Sequence, residues 1–344
     1  MTRRPALRSR PGVAAAIVAA LGTLTGFLAA EGIVRLLRVA PDVAFIESGR
    51  FRLSANPRLG YEMVPSMRCT ETAGRCDFRG PSNSLGFRDR EHPLEKEPGT
   101  FRVLLLGDSV AQGLRVEDDR RIFPALLEER LRERGIAAEV LNFAVNGYDT
   151  RQEVETLATK GLRFRPDLVL VAYCLNDDTR TDGGILAMLR SIEKEQGDRT
   201  LDAARLTPWL GESALYRYLR YRVLPAAETA RGVPEEERVP VPEALATLRD
   251  LARRERFAVL LAVFPRLDAL VPYPFDREHA ALRALAEADG FAFVDLLPSL
   301  RACALAGAEP VGFDAFHPTA YGHACAAAAL VDPVAALAHP RPGD

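Results

Sequence analysis

The chain has 344 residues, with 45 Lys and Arg against 47 Asp and Glu for a net charge of −2; hydrophobic residues make up 48% and charged residues 27%. That length suits one catalytic-sized domain plus an appendage, and the apolar content is enough for a full core, which excludes disorder as the default. The even charge balance, without a basic stripe or basic-aromatic interleaving, excludes nucleic acid as the main partner.

In chain order, Arg3, Arg4, Arg8 and Arg10 precede an uncharged apolar run from Gly12 to Ala30 that continues past Glu31 through Ile33 and Val34. At about 1.5 Å per residue such a helix spans roughly the 30 Å of a bilayer core. Residues 1–40 are thus expected to be a cytoplasmic stub and transmembrane anchor. The arginine excess before the run places the N-terminus in the cytoplasm and the rest outside, periplasmic or extracellular. A cleaved signal peptide begins the same way; the length of the run and the lack of a small-x-small site after it favour the anchor. Glu31 reads as a residue near the outer interface.

From Pro41 to Gly99 the sequence is rich in proline, glycine, serine and arginine and has little periodicity, so 41–100 reads as an extended connector packed against the following domain. Cys69 and Cys76 flank a polar loop that suits a disulfide outside the cytoplasm. The sequence does not decide whether Cys303 and Cys325 pair, and Cys174 reads as a small core residue.

An alternation then begins: strand 101–106, helix 120–134, strand 139–143, helix 151–162, strand 167–174. It breaks over 179–238, where an amphipathic piece and an aromatic cluster (Trp209, Tyr216, Tyr218, Tyr221) read either as a lid or acyl-binding subdomain or as an ordinary helical elaboration. It resumes with helix 242–256, strand 257–264, helix 277–288, strand 291–295, a short helix 300–305 and a closing helix 320–331, before a tail over 333–344. Alternation of this kind implies an α/β domain over 101–332, with a central parallel sheet and helices on both faces.

Polar residues gather where the strands end. Gly107-Asp108-Ser109 follows the first, Ala144-Val145-Asn146-Gly147 the second, and Leu175-Asn176-Asp177 the third; Asp314-Ala315-Phe316-His317-Pro318 comes near the end. The carboxyl edge of an open α/β sheet is where ligands bind. Taken singly, each group is also an ordinary turn or helix cap. A serine hydroxyl needs a neighbouring base to attack a carbonyl, and a histidine oriented by a carboxylate three residues earlier meets that need. Asp108 is expected to brace its loop, Asp177 and Asp178 to cap or face water, His323 to be structural, and His92, His279 and His339 to stand in polar stretches.

Together and in this order, the four groups resemble the SGNH (GDSL) hydrolase family from about Phe101 to Leu330, and Ser84-Leu85-Gly86-Phe87-Arg88 resembles the segment before them in its membrane-anchored bacterial members. The chain departs from the family pattern with Val110 in place of a leucine and Cys174 in place of a glycine. The resemblance implies a three-layer, flavodoxin-like fold. It implies Ser109 as nucleophile, His317 as general base, Asp314 as its orienting carboxylate, and Ser109, Gly147 and Asn176 as oxyanion-hole donors.

The expected activity is hydrolysis of acyl esters, carried by a lipid or an acylated glycan, through an acyl-serine intermediate. Transfer of acetyl groups onto envelope polysaccharide is the nearest alternative, and a catalytically silent glycan- or lipid-binding module the second. No cofactor is implied: there is no His-Glu-x-x-His, no paired Cys-x-x-Cys for a metal, and no phosphate-cradling glycine loop.

Overall fold

A computed structural model describes residues 11–37, 39, 50–67, 82–177, 185, 213–219, 223 and 239–338. The expected Cys69–Cys76 bridge, Asp178, His339 and most of the 179–238 insertion lie outside the described residues. In order, the elements are α1 (Pro11–Leu37), β1 (Phe51–Leu53), β2 (Tyr61–Met63), β3 (Phe101–Gly107), α2 (Ser109–Gln112), α3 (Phe123–Glu133), β4 (Ala138–Asn142), α4 (Thr150–Thr156) and β5 (Leu168–Cys174). They continue with α5 (Ala214–Tyr218), α6 (Val241–Glu255), β6 (Ala258–Phe264), α7 (Asp276–Asp289), β7 (Ala292–Asp295), α8 (Leu297–Ala306) and α9 (Ala320–Ala338).

The chain divides into two compact units, residues 1–45 with 200–232, and residues 46–199 with 233–344. In the first, α1 leaves Ile17, Leu21, Leu24, Phe27 and Leu28 exposed, and its stretch Ala14–Leu37 is long and apolar enough to cross a membrane. A helix exposing apolar residues all round has its natural solvent in lipid, although a signal sequence has the same character.

The second unit is built on a five-stranded sheet in the order β4-β3-β5-β6-β7, with every pairing parallel. That is the flavodoxin-like order, with the chain switching sides about β3. The strands Phe101–Gly107, Leu168–Cys174 and Ala258–Phe264 are nearly continuous apolar runs because both their faces are covered. Alternate residues divide between two cores. Leu104, Leu106, Val169, Val171, Leu261 and Val263 meet α4, α6 and α7, while Val103, Leu105, Leu168, Leu170, Leu260 and Ala262 meet α3, α8 and α9. In α6, Val241, Ala244, Leu245, Leu248 and Leu251 form the stripe that covers the first of these faces.

Several boundaries differ from the expected ones for local reasons. The helix expected over 120–134 begins as a 3₁₀ turn, Asp119–Arg121, and α3 starts only at Phe123 with a proline in its first turn. The helix expected over 151–162 is α4 followed by a π turn, Leu157–Gly161, where Gly161 lies so close to Leu104 that a β-carbon would sit 2.7 Å from its Cδ1. Helix α9 runs past Pro333 to Ala338, held by the fully buried Val334. It is also apolar enough to pass for a membrane span, but 44% of that stretch is buried against the rest of the protein. Cys303 and Cys325 form a disulfide between α8 and α9.

The segment expected as an extended connector has structure of its own. Strands β1 and β2 pair antiparallel, and Phe51, Leu59, Tyr61, Met63 and Phe87 join the core on the α4 and α6 face. The strands are three residues each, too short to show a period in the sequence.

Gly322 in the first turn of α9 packs directly on the Val311 carbonyl, and a β-carbon there would also lie 3.0 Å from Pro318 Cβ. Gly322→Ala is expected to lower stability by about 1–3 kcal/mol, as overpacking against backbone does. Urea unfolding of the two proteins side by side checks this, and an unchanged midpoint would contradict the packing described.

Candidate active site

Because β4, β3 and β5 are neighbours in register, the loops after them emerge side by side at one edge of the sheet. Ser109 follows β3, Gly147 follows β4 and Asn176 follows β5. Ser109 opens the single-turn helix α2 and is only 6% exposed. Asp108, fully buried, caps that turn by accepting from Val110 N at 2.8 Å. The other end of the turn is gripped by Arg88. Its guanidinium donates to the carbonyls of Gln112 (3.2 Å) and Gly113 (2.7 Å) and to Asp119 Oδ1 (2.7 Å).

His317 lies 208 residues further along, yet its Nε2 is 2.9 Å from Ser109 Oγ. Its Nδ1 lies 2.9 Å from both carboxylate oxygens of Asp314. A carboxylate can only accept, so the ring proton sits on Nδ1 and Nε2 is left to accept from the serine. The loop is closed at its base by a bridge between Gly312 and Pro318, by Phe313 N to His317 O (2.8 Å) and by Leu267 N to Ala315 O (2.7 Å). Within it, Asp314 Oδ1 accepts from the backbone N–H groups of Phe316 (3.0 Å) and His317 (2.9 Å), so one carboxylate shapes the turn and aligns the ring.

Burial alone would raise the Asp314 carboxyl. The hydrogen bond and charge of His317, with the two backbone donors, outweigh that and hold it well below the usual carboxylate range. Arg115 adds a longer contact to Asp314 Oδ2 at 3.4 Å and lies 4.4 Å above the Phe313 ring. Its backbone is left-handed, φ 69°, which is costly for a residue with a side chain.

Asn176 Nδ2 donates to Asp108 Oδ2 at 3.2 Å, the same oxygen that faces Ser109 Oγ at 3.3 Å. One buried carboxylate thus links the hydroxyl to the amide. The turn that carries Asn176 is closed by its neighbour: Asp177 Oδ2 accepts from Cys174 N (2.7 Å), and Asp177 N donates to Cys174 O (3.0 Å). This is the backbone shape adopted with cysteine where the family pattern has glycine. Gly147 is in the left-handed region at φ 79°, and its loop is tied to the end of β3 by Val145 N to Gly107 O at 3.0 Å. The hairpin braces the same loop: Tyr61 Oη donates to the Asn146 carbonyl (2.7 Å), and Tyr148 Oη donates to the Tyr61 carbonyl (2.6 Å).

Several polar residues depart from their expected settings. Asp177 is fully buried and does not face water, because it spends its carboxylate on the Cys174 turn. His279 is buried between Tyr273 Oη (2.7 Å) and Asp295 Oδ1 (2.9 Å), and His92 pairs with Asp89 at 3.0 Å. Sequence reasoning missed Arg115, for which a lone arginine in a loop gives no signal. It quoted Arg88 without its task, which depends on contacts about 25 residues away in the chain. Among the described residues, no group of three or more His, Cys, Asp or Glu side chains is placed to hold a metal ion.

Residues 105–325 match the GDSL-like Lipase/Acylhydrolase family. Among solved structures the chain is similar to the acetyl xylan esterase AlAXEase, at 16% identity over 68% of this chain and 99% of that one, with a TM-score of 0.41. It is similar to TesA at 18% identity over 69% and 99%, with a TM-score of 0.44. It is also similar to a two-domain esterase (CEX) active on acetylated mannans, at 14% identity over 71% and 51%, with a TM-score of 0.44. No curated protein matches the chain.

Behind the site, His323 is fully buried, accepts from Phe123 N at 3.2 Å, and is held neutral: burial, with the charges of Arg88 and His317, lowers its pKa to about 3. A histidine whose folded pKa lies below its unfolded value of 6.5 costs stability as the pH falls below that value, because only the unfolded chain takes up the proton. His323→Gln keeps an acceptor for Phe123 N and removes this titration. Below pH 6.5, wild-type stability should fall more steeply than that of the variant, by about 1.4 kcal/mol per pH unit. Denaturant titrations of both proteins at several acidic pH values read the difference; parallel curves would refute the buried, neutral ring.

Proposed function

The chain belongs to the GDSL-like Lipase/Acylhydrolase family and is an ester-bond hydrolase; from that premise we propose that it is a serine esterase that works outside the cytoplasm through an acyl-serine intermediate. The observation that carries this reading is the unbroken line from Ser109 Oγ to His317 Nε2, and from His317 Nδ1 to Asp314, each step 2.9 Å.

In the proposed reaction, Ser109 Oγ attacks the ester carbonyl while its proton passes to His317 Nε2. The imidazolium that forms is stabilised by Asp314, which the surrounding donors keep ionised. Negative charge grows on the carbonyl oxygen, and the backbone N–H groups of Ser109 and Gly147 with the Asn176 amide are its donors. Asn176 has two amide hydrogens, so its bond to Asp108 fixes the side chain and leaves the second hydrogen for this purpose. Collapse expels the alcohol, which takes the proton from His317. Water then attacks the acyl-serine with His317 as base, releasing the acid and restoring the hydroxyl.

The substrate is an acyl ester on a lipid or an acylated glycan. The exposed apolar α1 supports placement at a membrane, with the N-terminus inside and the catalytic unit outside.

Release of acid from short-chain p-nitrophenyl esters tests the reading. Ser109→Ala should abolish turnover, and Asn176→Ala should lower kcat about 10²–10³-fold, as loss of one oxyanion donor does. Wild-type and Ser109→Ala rates that are equal would sink the serine mechanism. Turnover that appears only when a glycan acceptor is added would redirect the reading to acyl transfer.

A further inference from the structure

The first unit holds a contact that the hydrolase chemistry does not use. Glu31 interrupts an otherwise apolar helix, and its carboxylate is fully engaged. It accepts from Ser213 Oγ (2.8 Å), Ala214 N (2.8 Å) and Leu215 N (2.7 Å), the first turn of α5, and from Arg35 Nε (2.7 Å) on its own helix. A carboxylate in a membrane-spanning stretch is costly unless paired, so these four donors are the condition on which it is tolerated there. They fix α5 beside α1 at the level of Glu31, six residues before the helix ends at Leu37, or roughly 9 Å at the helical rise.

That level is where a bilayer changes from hydrocarbon to headgroups, and the neighbouring residues suit it. Tyr216 and Tyr218 on α5 are only partly buried, as befits aromatic residues that prefer the interface. Leu219 and Val223, just beyond, are 44% and 40% exposed, and Ile33, Leu36 and Leu37 on α1 are exposed as well.

We propose that α5, with Leu219 and Val223 beyond it, is a second membrane contact, lying in the outer interface of the bilayer and latched to the anchor by Glu31. This rests on the reading of α1 as a retained anchor. The occupant is lipid, because α5 is bonded to α1, a helix long and apolar enough to cross a membrane whose own apolar residues are exposed.

The test uses the full chain in phosphatidylcholine vesicles, with acyl chains brominated or not. Trp209→Phe removes the single tryptophan of the chain, and Leu219→Trp places a reporter on the exposed apolar position. The expected result is loss of most of the tryptophan emission in brominated vesicles. Adding Glu31→Ala should restore the emission, with the protein still retained by the vesicles after an alkaline wash and its unfolding midpoint in the soluble unit unchanged. Retention with emission indifferent to bromine would overturn the second contact and leave the anchor standing. Quenching that persists in Glu31→Ala would overturn the latch. Release of the protein by the wash would overturn the anchor reading and this inference with it. None of these outcomes depends on ester hydrolysis.

Discussion

The hydrogen bond between Ser109 and His317 joins two points 208 residues apart, and much of the second unit can be understood as the means of holding its ends. At the serine end, a single turn of helix is far too short to hold itself, since nucleating one turn is unfavourable. It persists because Asp108 caps the Val110 N–H and the buried guanidinium of Arg88 takes its last carbonyls. At the histidine end, the loop is pinned by Asp314 from within and by the Gly312–Pro318 bridge at its base. Helix α9, which leads out of that loop, is fixed to α3 by the His323 bond to Phe123 N and to α8 by the Cys303–Cys325 disulfide. Rigid elements at both ends mean that little ordering is left to do when a substrate arrives.

The same edge of the sheet carries buried acids whose hold on a proton is strengthened by burial. Glu153 and Asp177 are fully buried, and burial, reinforced by neighbouring carboxyls including Asp108, raises both well above the usual carboxylate range. Asp108 is raised as well, first by burial, with the Val110 and Asn176 donors working against it. Burial disfavours the charged form of all three, and Asp108 and Asp177 shape their turns by accepting from the backbone N–H groups of Val110 and Cys174. Asp314 has the opposite balance, because a histidine ring and two backbone donors face it. Acids in one region are thus shifted in opposite directions according to the donors available to each.

The second unit was legible in the sequence where long apolar runs and helical spacing dominate. The strands around Val103, Val169 and Leu260 and the stripe of α6 follow from burial on both faces, and the order of their loops follows from the parallel alternation. The motif residues Ser109, Gly147, Asn176, Asp314 and His317 were legible because each sits in a short polar block at the end of such a run. What could not be read depends on distant partners. The π turn at Leu157–Gly161 follows from the press of Leu104 on Gly161. The burial of Asp177 and His279 follows from partners supplied by the turn at Cys174 and by Tyr273 and Asp295. Arg115 meets Asp314 only because two loops 199 residues apart converge.

The hairpin before the alternating strands gives the same lesson in a form that bears on the site. Residues 51–63 lack any period that would announce strands, yet Tyr61 bonds to the Asn146 carbonyl, one residue before the glycine that the proposed chemistry requires as a donor. An N–H group is useful to a developing oxyanion only if its peptide plane cannot rotate, and a hydroxyl on the preceding carbonyl restrains that rotation. Phe87, in the segment just before the sheet, stacks on Phe143 at 4.3 Å, and Arg88 next to it closes α2. The elements that fix the nucleophile turn and the glycine loop therefore lie N-terminal to the first sheet strand. The working unit is the sheet domain together with this brace, and the motif residues alone do not define it.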